Sequence, residues 1–184
     1  MLERVLVAGA GGQGVLLIGK LTARLASGLF PHVALVPGYG AEVRGGTSNC
    51  HLTISGALIA GPIPERFDSM LLMSQPGVDA FLDRLDSGGV AWINSSMCRA
   101  REAPSRRLIP ATEMANRIGS AKAANFVMLG AWLAHKKLIP LETVSREIVR
   151  QFPDAQGKLN VKALEAGCAW RPDQHGISNI QGIR

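Results

Sequence analysis

The feature that most constrains this chain is a glycine-rich turn that follows an aliphatic run and precedes a helical pattern. Residues 4–8 read as a short buried strand, and residues 15–29 repeat leucines at the i+4 spacing of a helix. Between them, Gly9, Gly11 and Gly14 satisfy the G-x-G-x-x-G fingerprint. Such a loop lets a ligand approach the backbone, and the unpaired N–H groups of the helix N-terminus suit a phosphate. The same glycines also fit a tight turn with no ligand.

The remaining patterns predict one α/β domain. A strand at 32–36 completes a β-α-β opening, and residues 47–55 alternate apolar and polar side chains, which is typical of a half-exposed strand. Further strands are predicted at 69–73, 90–93 (after a turn at 88–89) and 108–109, and helices at 78–85, 112–118, 123–136, 141–151 and 161–168, with Asn160 as the last N-cap. We therefore predict a three-layer α/β/α fold with a mixed, Rossmann-like sheet over residues 1–170, and a tail at 171–184.

An NAD site of the usual kind conflicts with the residues that follow the second predicted strand. Dinucleotide-binding domains place an acid at the end of that strand, where it binds the ribose hydroxyls. Here Val36 is followed by Pro37 and Gly38, and the next acid is Glu42. The glycine loop therefore favours a phosphate-bearing ligand that is held differently, such as the diphosphate of coenzyme A.

A second glycine-rich segment, residues 38–49, places Tyr39, Glu42 and Arg44 among four glycines. Arginine binds carboxylate or phosphate through its planar fork, and glycines let a ligand or a backbone come close. The alternative is a solvated loop in which Glu42 and Arg44 form a surface ion pair worth less than about 1 kcal/mol. The density of glycines around one guanidinium favours a functional loop.

Composition limits the other functions. Three scattered cysteines with no C-x-x-C pair predict a reduced, cytoplasmic protein without an iron–sulfur cluster of its own, because a cluster usually needs four thiolates. We expect no metal site, no catalytic nucleophile and no membrane segment. The net charge of +6 suits an acidic partner or an anionic ligand. The arginines at 99–107 lack interleaved aromatics, so we predict a solvated loop there and no nucleic-acid surface.

A set of motifs runs in order along residues 4–168. Gly-Gly-Gln-Gly after the first strand is followed by Tyr-Gly-x-Glu-x-Arg-Gly-Gly-x-Ser at 39–48. An Asn-x-x-x-Leu-Gly motif begins at Asn125, and Lys-x-Asn-x-x-Ala-x-x-x-Gly ends at Gly167. Together they resemble the gamma component of 2-oxoacid:ferredoxin oxidoreductases, and the loop at 39–48 is most like the 2-oxoglutarate branch.

The resemblance implies a fold like domain III of pyruvate:ferredoxin oxidoreductase and a subunit that is inactive alone. Enzymes of this family decarboxylate a 2-oxoacid onto coenzyme A and pass the electrons to ferredoxin. Thiamine diphosphate, Mg and [4Fe-4S] clusters would lie in alpha-, beta- and delta-type partner subunits, and ferredoxin would be met through the complex. Pyruvate, branched-chain and indolepyruvate enzymes are alternatives, as is a stand-alone nucleotide-binding protein.

The resemblance also implies which residues contact the cofactor. We expect this chain to hold no cofactor alone, to contact coenzyme A at the glycine loop, and to order a subunit junction through the second segment. The predicted contact residues are Gly9, Gly11, Gly12, Gln13, Gly14, Tyr39, Glu42, Arg44, Gly45, Gly46, Ser48 and Asn125.

Overall fold

The computed structural model describes residues 1–38 and 47–172, which form six β-strands and six α-helices. The strands are β1 (Leu2–Ala10), β2 (His32–Gly38), β3 (Thr47–Ser55), β4 (Phe67–Leu72), β5 (Leu85–Asn94) and β6 (Arg106–Ile109). The helices are α1 (Val15–Ser27), α2 (Gln75–Phe81), α3 (Ala111–Ile118), α4 (Ala124–Lys136), α5 (Leu141–Gln151) and α6 (Ala155–Ala169). Single turns of 3-10 helix lie at Leu82–Arg84 and Ala121–Ala123. Residues 173–184 of the predicted tail lie outside the described residues.

The strands form one mixed sheet in the order β2-β3-β1-β4-β5-β6. The run from β1 through β4 and β5 to β6 is parallel, whereas β3 is antiparallel to both of its neighbours, β1 and β2. The predicted β-α-β opening is therefore a split unit, because β3 lies between the two strands that α1 connects. The predicted mixed sheet is confirmed.

Helices cover the two faces of the sheet unequally. On one face, α1, α3, α4, α5 and α6 pack on a core that includes Val5, Leu71 and Trp92. On the other face, α2 and the 3-10 turn after it cover a smaller core around Leu6 and Met70. Strands β1 and β4 and the second half of β5 are buried from both sides, which explains their largely aliphatic sequences.

The alternation in β3 predicted a half-exposed strand, and this was wrong. Residues 49–55 are all buried, including the polar side chains that face away from α1. Because β3 lies inside the sheet, β1 and β2 flank it on both sides. The ring of His51 meets Phe67 edge-to-face with 5.3 Å between centroids, and burial, followed by the charge of Arg84, lowers the pKa of His51.

Among the element bounds, the starts of α6 and β5 differ most from the sequence prediction. Helix α6 begins at Ala155, and its N-cap is Asp154, whose Oδ1 accepts a hydrogen bond from the Gln156 N–H at 3.0 Å. Asn160 is therefore a buried residue inside the helix and no cap. Strand β5 continues through the glycine pair 88–89, which we predicted as a turn, because a register shift in the β4–β5 pairing accommodates it.

Helix α4 lies at the centre of the helical layer. Ten consecutive residues, 124–133, are buried, and the helix packs closely on α6. Met128 and Trp132, one helical turn apart, are both buried in the larger core. No helix in residues 1–38 and 47–172 combines the length and the apolar character that crossing a membrane requires.

Arg4 joins β1 to β4 and β5. Its Nε and Nη2 donate to the two oxygens of Asp68 at 2.8 and 2.7 Å, and Nη2 also donates to Asp86 Oδ2 at 2.9 Å. Burial raises the pKa of Asp68, but the hydrogen bonds from Arg4 outweigh this effect, and the net pKa is lowered. The side-chain hydrogen bond from Arg4 likewise lowers the pKa of Asp86.

We expect Arg4→Met to destabilise the fold near pH 7 and to flatten its acid dependence. A carboxylate with a depressed folded pKa stabilises the fold above its unfolded pKa of about 3.9, and this stabilisation is lost as the pH falls through the folded pKa. Losing the paired hydrogen bonds to Asp68 should cost about 1–3 kcal/mol near neutral pH. Urea unfolding at pH 7 and pH 3 measures both effects.

The control is Arg117→Met, because the ion pair of Arg117 with Glu113 is exposed on both sides. It should change the free energy of unfolding by less than about 1 kcal/mol. A pH dependence in Arg4→Met equal to that of the unmodified chain would contradict the prediction.

Candidate ligand-binding site

The glycine loop lies at the carboxyl end of β1, next to the start of β3 and the end of β4. Gly12 and Gly14 have φ of 82° and 73°, in the left-handed region that side-chain-bearing residues rarely adopt. Gly14 is the N-cap of α1, and its carbonyl accepts the first helical hydrogen bond from Ile18. The positive φ values turn the chain directly from the strand into the helix, as the fingerprint predicted.

The side chain of Gln13 fastens this loop to the neighbouring strand. Its Oε1 accepts from the Ala10 N–H at 2.7 Å, and its Nε2 donates to Met73 O at 3.3 Å. The Met73 N–H in turn donates to Ala8 O at 2.8 Å. Both ends of the Gln13 amide are thus bonded within the chain, so this residue fixes the shape of the loop.

Asn125 braces the loop from the helical layer. It is buried at the start of α4, and its Nδ2 donates to Gly14 O at 3.4 Å. Its Oδ1 accepts from the Phe126 N–H at 2.9 Å. A side chain on Gly14 would collide with the Asn125 amide, so the loop and α4 fit only because position 14 is glycine.

The open side of the loop borders a pocket of about 320 Å³. A Cβ on Gly11 or Gly12 would meet no atom within 4 Å, so the backbone there is accessible to a ligand. The other walls include Met73, Met97, Thr112 and the exposed Lys122. The N-terminus of α1 and the Lys122 ammonium suit an anion, and the two methionines suit an apolar group.

Sequence reasoning missed Met97, Thr112 and Lys122 as site residues. They come from three separate places, the turn after β5, the first turn of α3 and the 3-10 turn before α4, and no spacing in the sequence links them. The parallel order of β1, β4, β5 and β6 brings the segments that follow β1, β4, β5 and β6 to one edge of the sheet, where these residues meet.

Five of the predicted contact residues lie outside the described residues, namely Tyr39, Glu42, Arg44, Gly45 and Gly46. Ser48 is half-buried at the start of β3, where it pairs with Gly9 on β1. The structure therefore brings Ser48, the glycine loop and Asn125 together at one edge of the sheet.

In residues 1–38 and 47–172, no thiol or imidazole lines this pocket. Burial raises the pKa of Cys50 to about 12 and, together with the charge of Asp79, that of Cys98 to about 11, so both thiols stay protonated near neutral pH. Within the described part of the chain, His, Cys, Asp and Glu form no cluster of three that could hold a metal. The chemistry that the described site itself offers is binding and positioning of an anionic ligand.

The class that the fold and the site define is an α/β domain in which an inner strand of the sheet ends in a braced glycine loop beside a pocket lined by Lys122. The chain belongs to the pyruvate ferredoxin/flavodoxin oxidoreductase family, whose model matches residues 4–170. The family predicted from the ordered motifs is thereby confirmed.

Three similar proteins illustrate the relationship. The chain is 36% identical over 183 residues to the ketoisovalerate oxidoreductase subunit VorA of Methanothermobacter thermautotrophicus, covering 97% of this chain but 37% of VorA. It is 31% identical to the 2-oxoglutarate synthase subunit KorC of the same organism, covering 90% of this chain and 93% of KorC. The gamma subunit of a keto/oxoacid ferredoxin oxidoreductase from Geobacter sulfurreducens superposes with a TM-score of 0.76 at 28% identity, covering 90% and 95% of the two chains. The chain thus spans little more than a third of the VorA chain.

Proposed function

We propose that this chain is the gamma-type subunit of a 2-oxoacid:ferredoxin oxidoreductase, a CoA-dependent enzyme that converts a 2-oxoacid to an acyl-CoA. The observation that carries the proposal is the match to KorC over nearly the whole of both chains. The position of the pocket supports it, because a phosphate binds well where a helix N-terminus and an amine meet. Thiamine diphosphate, Mg and the iron–sulfur clusters would be held by the alpha-, beta- and delta-type partners, which carry out decarboxylation and electron transfer.

The residues of this chain would bind and position coenzyme A. The backbone at Gly11 and Gly12, the N-terminus of α1 and Lys122 would hold phosphate oxygens, while Met73 and Met97 would contact an apolar part of the ligand. A pocket of about 320 Å³ holds one end of so large a molecule, so the thiol end extends toward the partner chains. Gln13 and Asn125 would keep the loop in its binding shape.

The substrate that we propose is 2-oxoglutarate, on the glycine-rich segment at 39–48 and the full-length match to KorC. A branched-chain 2-oxoacid is the second candidate, because identity to VorA is higher at 36%. Turnover of 2-oxoglutarate, ketoisovalerate, pyruvate and indolepyruvate by the assembled complex separates these candidates.

The decisive experiment assembles the chain with co-expressed alpha- and beta-type chains and measures acyl-CoA formation with reduction of ferredoxin. We expect the complex to be active and the chain alone to be inactive. We further expect Lys122→Glu to raise the KM for coenzyme A by roughly 10-fold or more with a small change in kcat, because the lost contact is a binding contact.

The control for this variant is Lys162→Glu, which makes the same change of charge at an exposed position on α6. It should leave the KM for coenzyme A within about twofold of the unmodified complex, since exposed charges at a distance are screened. Equal KM values for the two variants would mean that Lys122 does not contact coenzyme A. Separately, 2-oxoacid turnover by the isolated chain would contradict the proposed function.

A further inference from the structure

A second concavity lies at the β6 edge of the sheet, where the walls differ from those of the glycine-loop pocket. It has a volume of about 680 Å³, and its walls include Pro104, Arg106, Arg107, Trp170 and Pro172. A hollow of about 220 Å³ adjoins it and shares Arg107, Trp170 and Pro172. We call the two together the β6 pocket.

The β6 pocket carries a concentrated positive charge. Arg106, Arg107 and Arg171 line it, and Glu102 is the one acid among the described residues of its walls. Within residues 1–38 and 47–172, none of these three arginines forms an ion pair with a carboxylate. The segment at 99–107 was predicted to be a solvated loop, but its last two residues begin β6 and line this pocket.

The three guanidinium groups are held in place by backbone carbonyls. Arg106 Nη1 donates to Arg101 O at 3.0 Å, Arg107 Nη1 to Pro104 O at 2.8 Å, and Arg171 Nη1 to Trp170 O at 2.8 Å. An arginine has five N–H donors, so each group keeps donors for a ligand. Fixing the guanidinium before binding reduces the side-chain entropy that a partner must overcome.

Trp170 supplies the apolar wall that joins the two parts of the pocket. Its Nε1–H is buried and has no hydrogen-bond acceptor among the described residues. Tryptophan and arginine are the residue types most enriched where protein interfaces bind most strongly. The electrostatic potential in the pocket is also positive at His135. Burial lowers the pKa of His135 most, and the positive charges of Arg107 and Lys136 lower it further.

We propose that the β6 pocket docks an acidic surface segment of a partner subunit, and the inference rests on the proposed function as one chain of a complex. Charge complementarity selects this occupant, because aspartate and glutamate side chains would pair with Arg106, Arg107 and Arg171. A second copy of this chain is disfavoured there, since a symmetric contact would oppose like charges. Pro104, Trp170 and Pro172 would pack against the apolar part of the segment.

The test measures the affinity of this chain for its co-expressed alpha- and beta-type partners at 50 and 300 mM NaCl. We expect the double charge reversal Arg106→Glu/Arg107→Glu to weaken the complex by roughly 100-fold at the lower salt, and the unmodified complex to weaken as salt rises. The milder Arg106→Gln/Arg107→Gln, whose amides still donate to backbone carbonyls, should weaken it by roughly 10-fold. Circular dichroism and melting temperature confirm that each variant is folded.

The matched control is Lys20→Glu/Arg146→Glu, which makes the same total change of charge at exposed positions on α1 and α5. It should leave the affinity within about threefold. If Arg106→Glu/Arg107→Glu assembles with unchanged affinity, the docking inference is overturned and the proposed function is not affected. If that variant also loses binding to a single-stranded 20-mer DNA probe, the arginines bind nucleic acid instead of a partner subunit. Failure of the unmodified chain to assemble overturns the proposed function and this inference together.

Discussion

Replacing Gly130 with alanine is expected to lower the free energy of unfolding by more than about 3 kcal/mol, the upper range for an overpacked core site. Helices α4 and α6 cross at this residue, and a Cβ there would collide with the backbone carbonyl oxygen of Leu164. The contact is reciprocal, because a Cβ on Gly167 would collide with Val127 O. Neither collision is relieved by a change of rotamer, so the two helices would have to separate and open the largest core of the protein.

Thermal and urea unfolding of Gly130→Ala and Gly167→Ala measure this effect. A loss of about 3 kcal/mol corresponds to a fall in Tm of roughly 6–12 °C for a chain of this size. Gly61→Ala is the control, since a Cβ at Gly61 would meet no atom within 4 Å, and it should change stability by less than about 1 kcal/mol. A Tm of Gly130→Ala within about 3 °C of the unmodified chain would refute the argument.

Local periodicity predicted the bounds of elements whose own sequence carries a clear pattern, whatever their neighbours in space. Helix α5 was predicted with its observed bounds, and β3 likewise, because each combines a clear period with clear limits. The glycine loop was predictable for the same reason, since its strand, turn and helix are contiguous.

Contacts between distant parts of the chain were not predictable from the sequence. The insertion of β3 between β1 and β2 depends on pairing energies across the sheet, so its burial was predicted wrongly. In the sequence, Gly130 and Gly167 are identified only as the last glycines of two family motifs. Their packing role becomes visible only where α4 and α6 cross. The position of Lys122 beside the glycine loop was also not predictable, because it depends on how the turn before α4 packs against the sheet.

The candidate site was predictable in outline but not in the roles of its residues. Gln13 and Asn125 were both predicted to contact the cofactor, and the structure shows their amides bonded to the chain around the glycine loop. A ligand contact for either residue stays a prediction, as do the roles of residues 39–46. Side-chain amides are short and versatile, so a motif alone does not separate a ligand-binding amide from one that shapes the loop.

Gly14→Ala is expected to damage both the fold and the ligand site, and a second substitution should partly repair it. Alanine at a φ of 73° costs about 1–2 kcal/mol, and its Cβ would also collide with the buried amide of Asn125. The loop would then move away from α4, so the KM for coenzyme A in the assembled complex should rise by roughly 10-fold or more. Gly11→Ala is the control for stability, because its Cβ would meet no atom within 4 Å.

A double-mutant cycle separates the collision from the backbone strain. Asn125→Ala alone should cost about 1 kcal/mol, because it removes the hydrogen bond to Gly14 O. In Gly14→Ala/Asn125→Ala the collision is gone and only the strain at position 14 is left, so the double variant should be more stable than the sum of the single effects predicts, by at least about 1 kcal/mol. Additive losses would mean that Asn125 does not brace the loop. Coupling in stability with no recovery of the KM would show that Asn125 contacts the ligand as well as the loop.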